Sequence, residues 1–349
     1  MTGSLPTAAV LLGLLAVVPT LLQQRDTAML LANRKPPAPP YGTIRTISLE
    51  HDAMARVAAM KDGGQGQFSH SFDMYYEAQL DGCDPTAGKN FVMISGTNGA
   101  SWQYWDIISH FRKRGYCTLN FDHRSHGRSE DAPGELTAEL LAEDAAAIIR
   151  HVFGKQPVHV LGWSLGGAVG YYLGIEHPDI ITSLTVSGMA SCFGRTISGG
   201  SCDMSFDWLK WFFSRDLILR LLGTQLQGVA AVTAIKMHDN DANMRYFRQL
   251  STGTMTRTPV TWGRWNKTYY HEEIQRITAP VLLLAGGHEH LIGFDKATLE
   301  EDARRIPRAE PPQIFEGFSH FLWLEEVEGV SGLELGVRAM DAFHAKIAA

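Results

Sequence analysis

The stretch Val158-His159-Val160-Leu161-Gly162-Trp163-Ser164-Leu165-Gly166-Gly167-Ala168-Val169-Gly170 decides the reading of this chain. Val158, Val160 and Leu161 form a short apolar run of the kind that makes a buried strand. Gly-Trp-Ser-Leu-Gly follows, and Gly167 to Leu173 then reads as a helix packed on a sheet. Strand, sharp turn and helix are the context in which G-x-S-x-G presents an exposed serine at the carboxyl end of a sheet. Glycines at 162 and 166 remove the Cβ atoms that so tight a bend would crowd. The start of the following helix favours developing negative charge. The bland alternative is a glycine-rich turn whose serine only caps the helix.

Four further stretches stand around this one in order. They are Phe91-Val-Met-Ile-Ser-Gly-Thr-Asn-Gly-Ala-Ser-Trp102, Asn120-Phe-Asp-His-Arg-Ser-His-Gly-Arg-Ser129, Pro280-Val-Leu-Leu-Leu-Ala-Gly-Gly-His-Glu289 and Gly317-Phe-Ser-His-Phe-Leu-Trp-Leu-Glu325. With the elbow they resemble, from about Phe68 to the C-terminus, the α/β-hydrolase superfamily, in its serine carboxylesterase and lipase-like members. The resemblance implies a mainly parallel central sheet with helices on both faces and a helical lid insertion. It also implies a catalytic triad in the chain order Ser, acid, His.

The residues fit those roles on chemical grounds. A serine hydroxyl needs a base to take its proton, and a base working near neutral pH points to histidine. Among 14 histidines, His320 lies late in the chain in a Gly-Phe-Ser-His loop after an expected strand, so it is the expected base for Ser164. Glu289 ends the strand near 280–285 and is the expected acid that orients His320. The family more often has Asp there, and Asp295 is the rival. No acid follows the strand near 183–187, where some members carry theirs. His288 and His290 flank Glu289, but alternate residues on an irregular loop rarely converge on one metal ion. The chemistry calls for no metal and no cofactor.

For the oxyanion hole the resemblance implies the backbone amides of Thr97 and Leu165. Ser95-Gly96 stands where the family often has His-Gly, so a histidine's structural hydrogen bonds are lost there while the amide donor is kept. Asn98 or Trp102 would shape the pocket entrance. Asp122, Arg124 and Gly127 brace the neighbouring loop, and Ser125 stands where Gly is commoner.

At 349 residues, 45% hydrophobic and 19% charged, the chain has the composition of a globular protein with a large core. The net charge is −6, and no cluster of Lys or Arg recommends a nucleic-acid partner. The four cysteines, Cys83, Cys117, Cys192 and Cys202, are too few for a disulfide scaffold and lack zinc-site spacing. Cys117 reads as a small core residue in an apolar strand; Cys192 and Cys202 are close enough to pair in an oxidising compartment.

Residues 1–24 carry no charged side chain. Residues 5–22 suit a membrane anchor, which needs about 20 apolar residues. They also suit a secretory signal, or an arm docked on the domain or on a second subunit, as in a homodimer. Arg25, Arg34 and Lys35 on one side favour membrane association over a secreted or cytoplasmic location. Pro36-Pro37-Ala38-Pro39-Pro40 is a stiff spacer. The expected organisation is an apolar arm and spacer over 1–40 and a hydrolase domain over 41–349.

Strands are expected at 43–49, 72–80, 91–95, 117–121, 157–161, 183–187, 280–285 and 312–315, with another near 55–60. Helices are expected at 102–114, 136–152 and 165–176. Alternation of this kind argues a parallel sheet covered on both faces. It breaks over about 189–276, where Trp208, Leu209, Trp211, Phe212 and Phe213 begin a strongly apolar helical stretch. This is the expected lid. Asn266-Lys267-Thr268 is an N-glycosylation acceptor if the domain faces a lumen.

Three functions follow from this reading. The first is hydrolysis of an ester, thioester or lactone of a small or medium apolar substrate through an acyl-enzyme. The second is perhydrolase, lyase or cyclase chemistry on the same scaffold. The third is a ligand-binding receptor with a vestigial site. Turnover of p-nitrophenyl esters separates enzyme from receptor.

Overall fold

The computed structural model describes residues 43–49, 72–97, 99–127, 129, 137–192, 271–289 and 293–349. The residues near 55–60, the arm at 1–40, Asn98, His290 and most of the expected lid (193–270) lie outside them.

Among the described residues eight strands form one sheet: β1 (Thr43–Leu49), β2 (Phe72–Gln79), β3 (Asn90–Ile94), β4 (Cys117–Phe121), β5 (Val158–Trp163), β6 (Ile181–Ser187), β7 (Val281–Gly286) and β8 (Gln313–Phe315). Their order across the sheet is β1-β2-β4-β3-β5-β6-β7-β8. β1 and β2, and β2 and β4, pair antiparallel; every neighbour from β4 to β8 is parallel. Among the described residues five α-helices accompany them: α1 (Trp105–Arg112), α2 (Ala138–Phe153), α3 (Leu165–Glu176), α4 (Lys296–Arg305) and α5 (Gly332–Ala348).

The central strands are buried on both faces, and most of their residues are apolar, as such strands tend to be. Their period of two divides them between two cores. Val92, Ile94, Val160, Leu184, Val186, Leu283 and Ala285 meet Leu141, Ile149, Val169, Leu173 and Leu299 of α2, α3 and α4. Phe91, Met93, Leu161, Leu282 and Leu284 meet Ile107, Phe111, Val337, Met340 and Phe343 of α1 and α5. Two helices, α4 and α5, were not singled out in the sequence; α5 closes the second core.

The order of connection reverses between β4 and β5. β3 is followed by β4 on one side of it and β5 on the other. Ligand crevices in open α/β sheets form beyond the carboxyl ends of strands at such a switch point. The loop carrying Ser95–Thr97 leaves β3 there, and Ser164 leaves β5.

Cys117 is fully buried, as an apolar strand position should be, but it is not a free core thiol. It is disulfide-bonded to Cys83, with a Cα–Cα distance of 5.5 Å. The turn after β2 brings Cys83 beside the start of β4, because β2 and β4 are antiparallel neighbours. The separation of 34 residues hides that proximity in the sequence. Cys192 is also disulfide-bonded, to a partner outside the described residues.

A buried polar knot sits where the chain leaves the described core at Ser191–Cys192 and re-enters it at His271. The Asp302 carboxylate of α4 accepts from Ser191 N at 2.7 Å, from Ser191 Oγ at 2.5 Å and from Tyr171 OH at 3.1 Å. Ser191 Oγ also lies 2.8 Å from His271 Nδ1. Burial pushes the Asp302 carboxyl above the usual carboxylate range. Among the described residues, no helix is long and apolar enough to cross a membrane.

Candidate active site

The elbow is built by steric necessity. Ser164 has φ 54° and ψ −119°, a conformation that L side chains adopt only when the surroundings impose it. What imposes it is the packing of β5 and α3. A Cβ on Gly162 would run into the Gly166 carbonyl, and one on Gly166 into the Ile94 carbonyl. Ser164 N donates to Ser187 O at 2.8 Å, and its own carbonyl accepts from Gly167 N at 2.7 Å. The serine side chain is thereby held half-exposed at the sheet's carboxyl edge.

His320 reaches it from the loop after β8. Its Nε2 lies 2.9 Å from Ser164 Oγ and its Nδ1 2.9 Å from Glu289 Oε2. Glu289 is 3% exposed and His320 8%. Because a carboxylate only accepts, Nδ1 carries the proton and Nε2 is left as the acceptor facing the serine hydroxyl. Gly188, after β6, has φ +62°, and a Cβ there would come within 3.0 Å of the imidazole and 3.1 Å of Glu289 Oε1. A bare backbone is what lets the Glu289 carboxylate and the His320 imidazole meet.

The histidine loop is anchored residue by residue. Glu325 accepts from Ser319 N at 2.7 Å and from Ser319 Oγ at 2.9 Å. His288 N donates to Phe318 O at 3.2 Å. Trp163 Nε1 donates to the His320 carbonyl at 3.0 Å. Trp323 Nε1 donates to Ser187 Oγ at 2.9 Å. Asp295 is occupied elsewhere: it caps α4, accepting from Thr298 N at 2.9 Å and Thr298 Oγ1 at 2.7 Å.

Thr97 lies half-buried in the loop after β3, and Leu165 is the buried first residue of α3. First-turn amides have no acceptor within their own helix. The β3 loop lies against the elbow, since a Cβ on Gly96 would stand 3.1 Å from Ser164 Cβ. His123 braces the same loop: its Nε2 meets Ser95 O at 3.2 Å. A carbonyl only accepts, so Nε2 is protonated. Burial and the neighbouring His126 push the His123 pKa down to about 3, so the ring is neutral at working pH. Nothing in the spacing of the Asp-His-Arg-Ser-His run pointed to this bond, because its acceptor is a backbone carbonyl.

Arg124 and Asp144 form a buried two-bond pair, Nε to Oδ2 at 2.5 Å and Nη2 to Oδ1 at 2.7 Å. Asp122 accepts from Ser101 N at 2.5 Å. Both therefore fix loops near the site.

Comparison with known proteins bears on this arrangement. Residues 89–327 match the family model described as alpha/beta hydrolase fold. A 3-oxoadipate enol-lactonase from Acinetobacter baylyi is 24% identical over 237 residues, which is 63% of this chain and 82% of the lactonase. A pimeloyl-[acyl-carrier protein] methyl ester esterase from Aeromonas hydrophila is 36% identical over 110 residues, 30% of this chain and 40% of the esterase. Among solved structures, a thermophilic esterase from Thermogutta terrifontis superposes with a TM-score of 0.65 at 15% identity, covering 87% of this chain and 99% of the esterase.

Proposed function

Since the chain belongs to the α/β-hydrolase fold family, we propose that it is a serine hydrolase cleaving an ester, thioester or lactone through an acyl-enzyme. The observation that carries this reading is the continuous relay from Glu289 through His320 to Ser164, with both contacts at 2.9 Å. The similarity to a lactonase and a methyl ester esterase agrees with it, since a lactone is a cyclic ester.

In the proposed reaction Ser164 Oγ attacks the carbonyl carbon as His320 Nε2 takes its proton. Glu289 holds the imidazole in the required tautomer and stabilises the imidazolium. The negative charge on the carbonyl oxygen falls to the amides of Thr97 and Leu165. Collapse of the tetrahedral intermediate expels the alcohol or thiol, which takes the proton from His320; in a lactone it stays tethered to the acyl group. Water, activated by the same histidine, then releases the acid. The substrate is a small or medium apolar ester-type molecule.

The test is turnover of short and medium p-nitrophenyl esters, with labelling by a fluorophosphonate. Wild type should hydrolyse the esters and carry the label at Ser164, and Ser164→Ala should lose both while unfolding at the wild-type temperature. Labelling at another residue, or full activity in the alanine variant, overturns the assignment.

A further inference from the structure

We propose that Trp163, the residue immediately before the nucleophile, is a positioning residue that fastens the histidine loop to the elbow through its indole N–H; this rests on the serine-hydrolase reading and deepens it. An indole N–H only donates. Here it meets the carbonyl of His320 itself at 3.0 Å, across 157 positions of sequence. Trp163 is 3% exposed, so the bond is made away from water.

The bond joins parts of the site that strand pairing leaves apart. β5 pairs with β3 and β6, whereas the histidine loop follows β8 at the far edge of the sheet. Glu325 and the His288 amide hold the loop at Ser319 and Phe318. Trp163 holds it at the residue that bears the base.

The same ring faces the other arms of the site. Its centroid lies 5.5 Å from the His320 imidazole and 5.7 Å from the Phe321 ring. A Cβ on Gly96 would stand 3.3 Å from Trp163 Cε3, which places the ring against the loop that carries Thr97. One side chain therefore touches the segments that present the nucleophile, the base and that loop. With the backbone of His320 fixed, the Glu289 bond has only ring rotation left to set. Without that fixing, the imidazole can keep its acid partner and still drift from Ser164.

The experiment replaces Trp163 with β-(3-benzothienyl)alanine, in which sulfur takes the place of the N–H and the ring shape is kept. Trp163→Phe is made in parallel. Loss of one buried hydrogen bond that aligns the base should lower kcat by about tenfold, with KM within about twofold of wild type. The thermal midpoint of the benzothienyl protein should stay within a few degrees of wild type. In proton–nitrogen spectra, the Nδ1–H signal of His320 should broaden as the ring loses its fixed place. The proposal is overturned if the benzothienyl protein keeps wild-type kcat and a sharp Nδ1–H signal, or if the whole loss sits in KM. Should Trp163→Phe not fold, the benzothienyl protein decides alone. Should wild type turn over no ester and resist the fluorophosphonate, the hydrolase reading fails, while the imidazole spectrum still decides what the Trp163 bond does.

Discussion

The Glu289 carboxylate reaches the His320 imidazole because the backbone at Gly188 is bare and β7 ends close beside the histidine loop. Glu289→Gln keeps the size of the side chain and removes the charge that holds the imidazole proton. The expected result is a fall in kcat of about 10²- to 10⁴-fold with a nearly unchanged thermal midpoint. Steady-state kinetics beside a melting curve checks it, and a nearly neutral Glu289→Gln with a severe Asp295→Asn would show that the acid lies elsewhere. The meeting of Ser164, His320 and Glu289 is legible in the sequence because each closes a local motif at a strand's end, and local motifs survive without coordinates. The anchors behind them are not legible. Trp163 binds a backbone carbonyl and His123 binds another, and an acceptor that every residue possesses leaves no mark in a sequence.

Between elements, the Arg124–Asp144 pair ties the loop after β4 to α2 with both partners essentially out of water. Breaking such a pair on one side leaves an uncompensated buried charge, which costs about 3–5 kcal/mol. Asp144→Asn should therefore lower unfolding stability by that order, read from urea titration, whereas replacing both partners with apolar residues of similar volume should recover much of it. The sequence marked Arg124 as a brace but not its partner, because Asp144 sits in the middle of α2 directly after Glu143, where an acid looks like an exposed position. The strands were readable to within two or three residues, since fully buried parallel strands are short apolar runs with turns at both ends. What periodicity could not supply was the pairing of Cys83 with Cys117. That pairing depends on β2 lying antiparallel beside β4, and strand order is a property of the assembled sheet.

For the molecule as a whole, acid should be the weak side of its stability. His123, His159 and His344 are buried, and burial lowers their pKa values to about 3, about 4 and about 3. In the unfolded chain a histidine titrates near 6.5. The unfolded state therefore binds more protons below that pH, so the stabilisation is full above about 6.5 and is lost as pH falls towards the folded values. Each such histidine contributes a slope of about 1.4 kcal/mol per pH unit across that window. His159 and His344 are stacked with ring centroids 4.3 Å apart, so charging one disfavours charging the other. Replacing His344 with Leu should flatten the decline in stability between pH 6 and pH 4 (the window set by the folded and unfolded values), as measured by denaturant unfolding at each pH; an unchanged decline would rule this histidine out as a contributor. The knot at Asp302 has a different consequence. Ser191 and His271 stand within hydrogen-bonding distance, so the stretch between them leaves and returns through one doorway. Closing a longer loop across a fixed gap adds cost only slowly with length. The ladder between β6 and β7 is made by residues on either side of that doorway, so a change in the length of the sequence between Ser191 and His271 adds little closure cost to the pairing of these two strands.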